Sequence, residues 1–259
     1  MNIFEALFLG LVQGLTEFIP VSSSGHLLLG HELFGTAENT LGFDIALHVG
    51  TLLALFIYFR KDIFNLIKNI FAKNKDGNLA RLLVVATLPA AIVGFLLGDY
   101  VDNNLRSQLL VAVTLAIGGL VMIWADNYAE KLDKKSNEVT NKQGIIVGVA
   151  QTLALVPGVS RSGATITTGL FLGLDRKSAA RFSFLLAIPI IAGSALSILV
   201  GGNSINAPVS DMFVGMLAAF VSGLFAIRFM LKSISKLGLK PFAYYRIALA
   251  IVVFVIVVR

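Results

Sequence analysis

The sequence predicts an all-α polytopic membrane protein: six transmembrane helices plus two re-entrant helical hairpins, arranged as two inverted-topology repeats. Three observations predict it. The 259 residues are 56% hydrophobic and 14% charged, with a mean hydropathy of +0.84, whereas soluble domains use roughly one-quarter charged residues. Six apolar stretches reach the about 20 residues that a hydrocarbon core needs as helix. Two further apolar stretches are broken midway by polar residues, and the two breaks match each other.

Taken in order, the first broken stretch runs over 3–35 and is interrupted by Pro20, a serine run, Gly25 and the ionisable Glu17 and His26. Its opening, Met1 to Leu15, is apolar without a basic lead, and Gln13 and Glu17 stand where a cleavage site would follow, so it reads as mature protein rather than signal peptide. Spans follow near 43–60, 80–98 and 108–125. The second broken stretch, 143–173, is interrupted around Pro157 and Arg161, and spans near 181–200, 212–231 and 241–258 complete the chain. Neither half of a broken stretch reaches spanning length, so both are expected to re-enter rather than cross. Irregular backbone at membrane depth is tolerated only where protein or a wet cavity covers it, which makes the two breaks the expected functional centre.

The distribution of positive charge orients this scheme. Loops 60–81, 126–142 and 228–246 and segment 174–181 carry six, four, five and three Lys and Arg, or 18 of the chain's 21. Arg106 and Arg259 fall on the other side and Arg161 inside a hairpin. The bias places the basic side in the cytoplasm and both termini outside, with the first hairpin entering from outside and the second from the cytoplasm. One extra crossing would scatter the basic loops to both faces.

The two breaks align as Gln13-Gly-Leu-Thr-Glu17-Phe-Ile-Pro20-Val-Ser22-Ser-Ser-Gly25 and Gln151-Thr-Leu-Ala-Leu-Val-Pro157-Gly-Val-Ser160-Arg-Ser-Gly163. Downstream, Leu88-Pro-Ala-Ala-Ile-Val-Gly94 parallels Leu217-Ala-Ala-Phe-Val-Ser-Gly223. The chain therefore reads as one integral membrane domain, 1–259, with repeat one about 1–126 and repeat two about 143–259. Each repeat is a hairpin plus three spans, an odd number, so the halves should have opposite topology and bring their hairpin tips together near the midplane.

Composition limits the chemistry. With no cysteine, neither disulfides nor thiolate chemistry is available, leaving oxygen and imidazole. The net charge of +6 does not indicate nucleic acid, because the cations lie in short loops between apolar runs rather than on one soluble face. In the first break, Gln13 and Glu17 are four apart on one helix face, followed by Ser22-Ser23-Ser24-Gly25-His26. Serines in membrane helices often bond backbone carbonyls instead, and a lone His can be a packing residue. An ionisable Glu17 at membrane depth is by default a functional group. In the second break, Arg161 costs roughly 2.5 to 3.5 kcal/mol at membrane depth even on the lenient insertion scale. Its guanidinium fork suits phosphate oxygens, and Ser160, Ser162, Gly163 and Thr165 supply further donors or close backbone approach at a half-helix N-terminus that favours an anion. The competing reading is an Arg161–Glu17 ion pair that only locks the halves together.

These elements, Gln13-x-x-x-Glu17, Ser22-Ser23-x-Gly25-His26 and Pro157-Gly-x-Ser160-Arg161-Ser162-x-x-Thr165, resemble the signature motifs of the bacitracin-resistance type of undecaprenyl-diphosphate phosphatase over nearly the whole chain. The resemblance implies removal of the terminal phosphate of undecaprenyl diphosphate, recycling the carrier for cell-wall synthesis. It also implies a divalent cation, Mg2+ or Ca2+, and a bacterial plasma-membrane location with the active site reached from the outer face. By position it implies Glu17, Ser23, His26 and Arg161 as catalytic residues. Ser23 would be the nucleophile or would position a water, with Glu17 and His26 as base and acid, and Glu17 would also be the cation ligand. Gln13, Ser22, Gly25, Ser160, Ser162, Gly163 and Thr165 are expected around the substrate, Gln13 as a cation-orienting group. Expected partners are the polyprenyl diphosphate and membrane lipids, with a homodimer left open and nucleic acid excluded. Asp44 and His48 could line the same cavity, or could bond across a helix interface. Trp124 reads as an interfacial anchor, and Lys61, Lys68, Lys232 and Lys236 as contacts to anionic headgroups. A lipid-phosphate carrier or flippase is the alternative, because inverted repeats with broken helices also build secondary transporters.

Overall fold

A computed structural model describes residues 1–36, 41–105, 107–200 and 208–258, so Arg106 and Arg259 lie outside the described residues. The first hairpin comprises helices α1 (Ile3–Phe18) and α2 (Ser23–Leu33). It is followed by α3 (Leu41–Tyr58), α4 (Arg60–Asn69), α5 (Lys75–Asn104) and α6 (Gln108–Glu130). The second hairpin comprises α7 (Asn141–Gln151), a short 3-10 turn over Thr152–Leu155, and α8 (Arg161–Phe171). Then come α9 (Arg176–Val200), α10 (Val209–Leu237) and α11 (Lys240–Val258). Among the described residues the only β pairing is an isolated bridge between Ser136 and Leu174.

Five helices are long and apolar enough to cross a membrane on their own: α5, α6, α9, α10 and α11. The sixth expected span, α3, runs into α4 at an angle of 79°. The multi-pass architecture therefore matches the hydropathy reading, and large apolar side chains such as Phe95, Ile117, Phe225 and Ile256 cover its outside.

The expected loops are corrected. The stretches 60–81 and 228–246 are largely helical, containing α4, the start of α5, the end of α10 and the start of α11, whereas 126–142 keeps a non-helical segment over 131–140 between the ends of α6 and α7. Apolar length marks only the part of a helix inside hydrocarbon, whereas the intrahelical hydrogen bonds continue into the polar interface. Ion pairs tie these ends together. Arg176 bonds Asp126 at 2.7 Å and Glu130 at 3.0 Å, and Lys240 reaches Glu130 at 2.9 Å. Asp126 also accepts from the Leu239 amide at 3.0 Å, fixing the entry to α11.

Helix α4 carries the charges expected of a loop, and its pattern explains why it folds. Ile63 and Leu66 pack on the core, while Phe64, Ile67 and Phe71 form an exposed apolar stripe beside Lys61 and Lys68. That is the arrangement of a helix lying in a membrane interface.

Small residues let the hairpins sink among the spans. Gly10 and Gly14 of α1 face Gly215, Ala218, Ala219 and Ser222 of α10 so closely that a Cβ on either glycine would run into main-chain carbonyls of α10. This is the packing by which membrane helices approach without a solvent-driven force. In the second half a Cβ on Gly148 of α7 would strike the Ala86 carbonyl of α5, just as one on Gly10 would strike the Gly215 carbonyl. The same exchange holds more widely: α1 and α3 pack on α10, α7 and α9 pack on α5, and α3 meets α9 as α6 meets α11. Each hairpin thus leans on a long helix of the opposite half. The main core lies between them, with Phe18 of α1 edge-on to Phe184 of α9 at 5.4 Å.

A candidate active site between the two hairpin breaks

Both breaks fold by the same local device. Ser22 and Ser160 are the only non-glycine residues at positive φ among the described residues, at 76° and 74°. Each caps the following helix: Ser22 Oγ accepts from Gly25 N at 3.3 Å, and Ser160 Oγ from Gly163 N at 3.1 Å. Each also stands beside the hydroxyl two residues on, Ser24 at 3.3 Å and Ser162 at 3.2 Å. A non-glycine residue held there costs of order 1–3 kcal/mol and persists only where its surroundings over-determine it, a pattern concentrated at functional sites. Glycine at plus three keeps both caps compact.

The two tips meet. At the last turn of α1, Glu17 is buried and gathers four partners. Arg161 NH2 donates to its Oε1 at 2.7 Å. Ser23 Oγ donates to its Oε2 at 2.6 Å, and Gln13 Nε2 donates to the same oxygen at 3.1 Å. His48 Nε2 of α3 lies 3.9 Å from that oxygen. Arg161 NH1 reaches the Ser183 carbonyl of α9 at 3.1 Å, and Thr165 Oγ1 and Ser183 Oγ lie 2.6 Å apart. The ion pair considered from the sequence therefore exists, but these two bonds occupy two of the five N–H donors of a guanidinium.

The predicted residues do not all converge. Glu17, Ser23, Arg161 and Gln13 form one cluster. Thr165, Ser160, Ser162 and Gly163 are buried behind it: Ser160, Ser162 and Gly163 bond at the tip of the hairpin, Thr165 joins the Arg161 carbonyl to Ser183 of α9, and Ser162 Oγ touches the Ile19 carbonyl at 3.4 Å. Ser22 and Gly25 shape the first tip. His26 turns away from the carboxylate: its Nδ1 meets the Ser22 carbonyl and its Nε2 the Tyr245 hydroxyl, both at 2.7 Å, with the two rings stacked. The imidazole beside Glu17 is His48. Asp44 spends its carboxylate on His31 at 2.8 Å.

A second arginine, counted from the sequence among the basic loop residues, is a correction. Arg246 is wholly buried in α11. Its five N–H donors meet five main-chain carbonyls: Pro20 at 3.4 Å in the first break, Gly158 at 2.8 Å and Val159 at 3.0 Å in the second, and Thr114 and Leu115 of α6 at 3.1 and 3.3 Å. Among the described residues no carboxylate pairs with it. A guanidinium that satisfies every donor on carbonyls fixes the two breaks against each other and leaves a full positive charge beneath the site. The signal in the sequence was its position six residues inside the helix, directly before an unbroken apolar run.

A divalent cation fits part of this cluster. Gln13 Oε1 is buried without a hydrogen-bond partner, on the amide that already touches Glu17. An orphaned carbonyl oxygen beside a carboxylate is a natural start for a hard-cation site. Among the described residues no three His, Cys, Asp or Glu side chains surround one point, so much of the shell would come from other oxygens.

Residues 6–252 match the family model described as bacitracin resistance protein BacA. A relative from Marinobacter nauticus named undecaprenyl-diphosphatase is 44% identical, covering 99% of each chain. Relatives of the same name from Caldicellulosiruptor bescii and Aliivibrio salmonicida are 45% and 43% identical, over 98% and 96% of this chain and 97% and 96% of their own.

Proposed function

The chain belongs to the bacitracin resistance protein BacA family, and from that premise and the cluster around Glu17 we propose that it is a membrane undecaprenyl-diphosphatase. It removes the terminal phosphate of undecaprenyl diphosphate to give undecaprenyl phosphate and inorganic phosphate, returning the lipid carrier to peptidoglycan synthesis and so opposing bacitracin. The observation that carries this reading is the 2.6 Å bond from Ser23 to a carboxylate whose other oxygen holds Arg161. A hydroxyl, its base and a phosphate-gripping cation share one point.

Ser23 Oγ passes its proton to Glu17 Oε2 and attacks the terminal phosphorus. The bond to the bridging oxygen breaks and undecaprenyl phosphate leaves. Glu17 gives up that proton to solvent, and the regenerated carboxylate deprotonates a water that attacks the phosphoserine phosphorus; the P–Oγ bond breaks, the proton passes from Glu17 to Ser23 Oγ, and phosphate is released. The arriving diphosphate draws Arg161 from Glu17, freeing the base as the guanidinium takes the phosphate oxygens, and the fork stabilises charge spread over them in the transition state. The N-termini of α2 and α8 add fixed dipoles. His26, hydrogen-bonded to Tyr245, orients the first tip at its outer edge. A divalent cation, when bound, neutralises the diphosphate charge. Glu17 and Gln13 Oε1 are the oxygens offered to it.

The family supports a bacterial plasma membrane, and the charge bias supports an orientation with both termini and the site opening on its outer face. A lipid-phosphate carrier is less favoured, because transport needs no base on a serine. The test is phosphate release from undecaprenyl diphosphate by the purified protein in detergent with Mg2+. Wild type should release phosphate and a folded Arg161→Ala variant should not. Wild-type protein that moved lipid across vesicles but released no phosphate would overturn the reading in favour of transport.

A further inference from the structure

We propose that His48 supplies a nitrogen ligand to the divalent cation, completing on α3 a site begun by Glu17 and Gln13 on α1. The inference rests on the phosphatase reading only for the cation's purpose; its geometry stands on four observations.

The first is tautomeric. His48 Nδ1 lies 2.8 Å from the Asp44 carbonyl. A carbonyl can only accept, so Nδ1 carries the hydrogen, and in the neutral ring Nε2 is left with a bare lone pair. Pinning one ring nitrogen to an oxygen so that the other can bind metal is the usual support for a histidine ligand. The second is spacing. Nε2 stands 3.9 Å from Glu17 Oε2, beyond hydrogen-bond range. Bonds of about 2.1–2.4 Å at right angles to one hard cation place neighbouring donor atoms about 3.0–3.4 Å apart, so a side-chain movement of about half an ångström brings both donors onto one ion. In the neutral ring that lone pair and the carboxylate repel each other, and a shared cation converts the pair into an attraction.

The third is the unpartnered, buried Gln13 Oε1 on the same carboxylate's neighbour. The fourth is elimination among the chain's three histidines. His26 has both nitrogens taken, by Ser22 and Tyr245. Those of His31 are taken by Thr36 at 3.1 Å and Asp44 at 2.8 Å. Among the described residues His48 alone keeps a nitrogen without a hydrogen bond, and its side chain is 36% exposed. Three protein donors of mixed type leave room for diphosphate oxygens and water, so cation and substrate should bind synergistically. The imidazole should also shift preference from Ca2+ toward nitrogen-tolerant ions such as Mn2+.

The test uses Mn2+ as probe on the full-length protein in detergent, read by pulsed EPR for hyperfine coupling to a directly bound nitrogen. Wild type and the controls His26→Gln and His31→Gln should show the coupling. His48→Gln should lose it and bind Mn2+ at least roughly tenfold more weakly, a loss typical of disturbing a group even one shell out. Failure of wild type to bind Mn2+, bound Mn2+ without nitrogen coupling, or coupling that survives His48→Gln or vanishes with His26→Gln would overturn the assignment. Phosphate release from the same preparations separates the two claims. Release without nitrogen coupling refutes only His48, whereas coupling without release refutes only the phosphatase reading.

Discussion

Replacing Arg246 by Met should be among the most damaging single changes outside the reacting groups. The structure supplies the reason: five N–H donors bond carbonyls at 2.8 to 3.4 Å, three of them in the hairpin breaks. Hydrogen bonds to a charged group contribute about 1.5–3 kcal/mol each, but the sum overcounts, because burying the guanidinium is itself costly. The closest comparison is removal of one partner of a buried charged network, about 3–5 kcal/mol. At about 2–4 °C per kcal/mol for a chain of this size, the unfolding midpoint in detergent should fall by roughly 10 °C. Arg246→Lys, with three donors on a point charge, should lose about half as much. Because Arg246 touches the main chain next to Ser22 and Ser160 rather than the reacting groups, the folded fraction should show a kcat lower by about 100-fold, the effect of an ångström-scale misplacement, with KM little changed. Thermal unfolding by near-UV circular dichroism, with phosphate release on the folded fraction, measures both. A Met variant melting within about 2 °C of wild type with wild-type kcat would refute the claim that Arg246 holds the breaks in register.

Four further outcomes follow from the site and its surroundings. Glu17→Gln should lower kcat by roughly 10²–10⁴-fold, the range for losing a general base, in the phosphate-release assay. If Glu17 and Arg161 formed only a structural lock, the double variant Glu17→Gln/Arg161→Met would keep wild-type turnover; phosphate release should instead be abolished even where its melting point exceeds that of either single variant. Gly10→Val should unseat α1, since any Cβ there meets the Gly215 carbonyl, lowering both melting temperature and turnover. Phe64→Trp should place its indole on the outer stripe of α4 and be quenched by brominated lipids at shallow depth; a fully water-exposed emission spectrum would count against an interfacial helix.

Much of the fold was legible because hydropathy length is set by bilayer thickness, and each of the six expected spans has its helix. The breaks were legible because Pro, Gly and a charge inside an apolar run have few other uses. The rest was hidden for physical reasons. Arg246 lies six residues after Lys240 in a basic stretch, and only the fold shows that Lys240 pairs with Glu130 while Arg246 is wholly buried. His48 lies 31 residues beyond Glu17, on a helix whose contact with α1 is tertiary, so no local pattern links them. His26 follows the serine run directly in sequence, and only the fold shows that the first turn of α2 carries its ring to Tyr245. Ser183 enters chiefly through a carbonyl, which every residue possesses, so no side-chain pattern marks it. The helical ends at 60–69, 126–130 and 228–237 were masked by their charges.

The crossed arrangement of the halves bears on how the chain is made. Gly10 and Gly14 are seated by α10, and Glu17 meets its arginine 144 residues later in the chain. At about 5–20 residues per second, the first hairpin waits roughly 10–40 s on the ribosome before its seat exists. During that interval a carboxylate, an amide and three serines lack the neighbours that later bury them. Biogenesis therefore favours keeping α1 and α2 at the water boundary, or in the care of an insertion factor, until synthesis of the second half is complete. Two separately expressed halves should recover function only when they are present together.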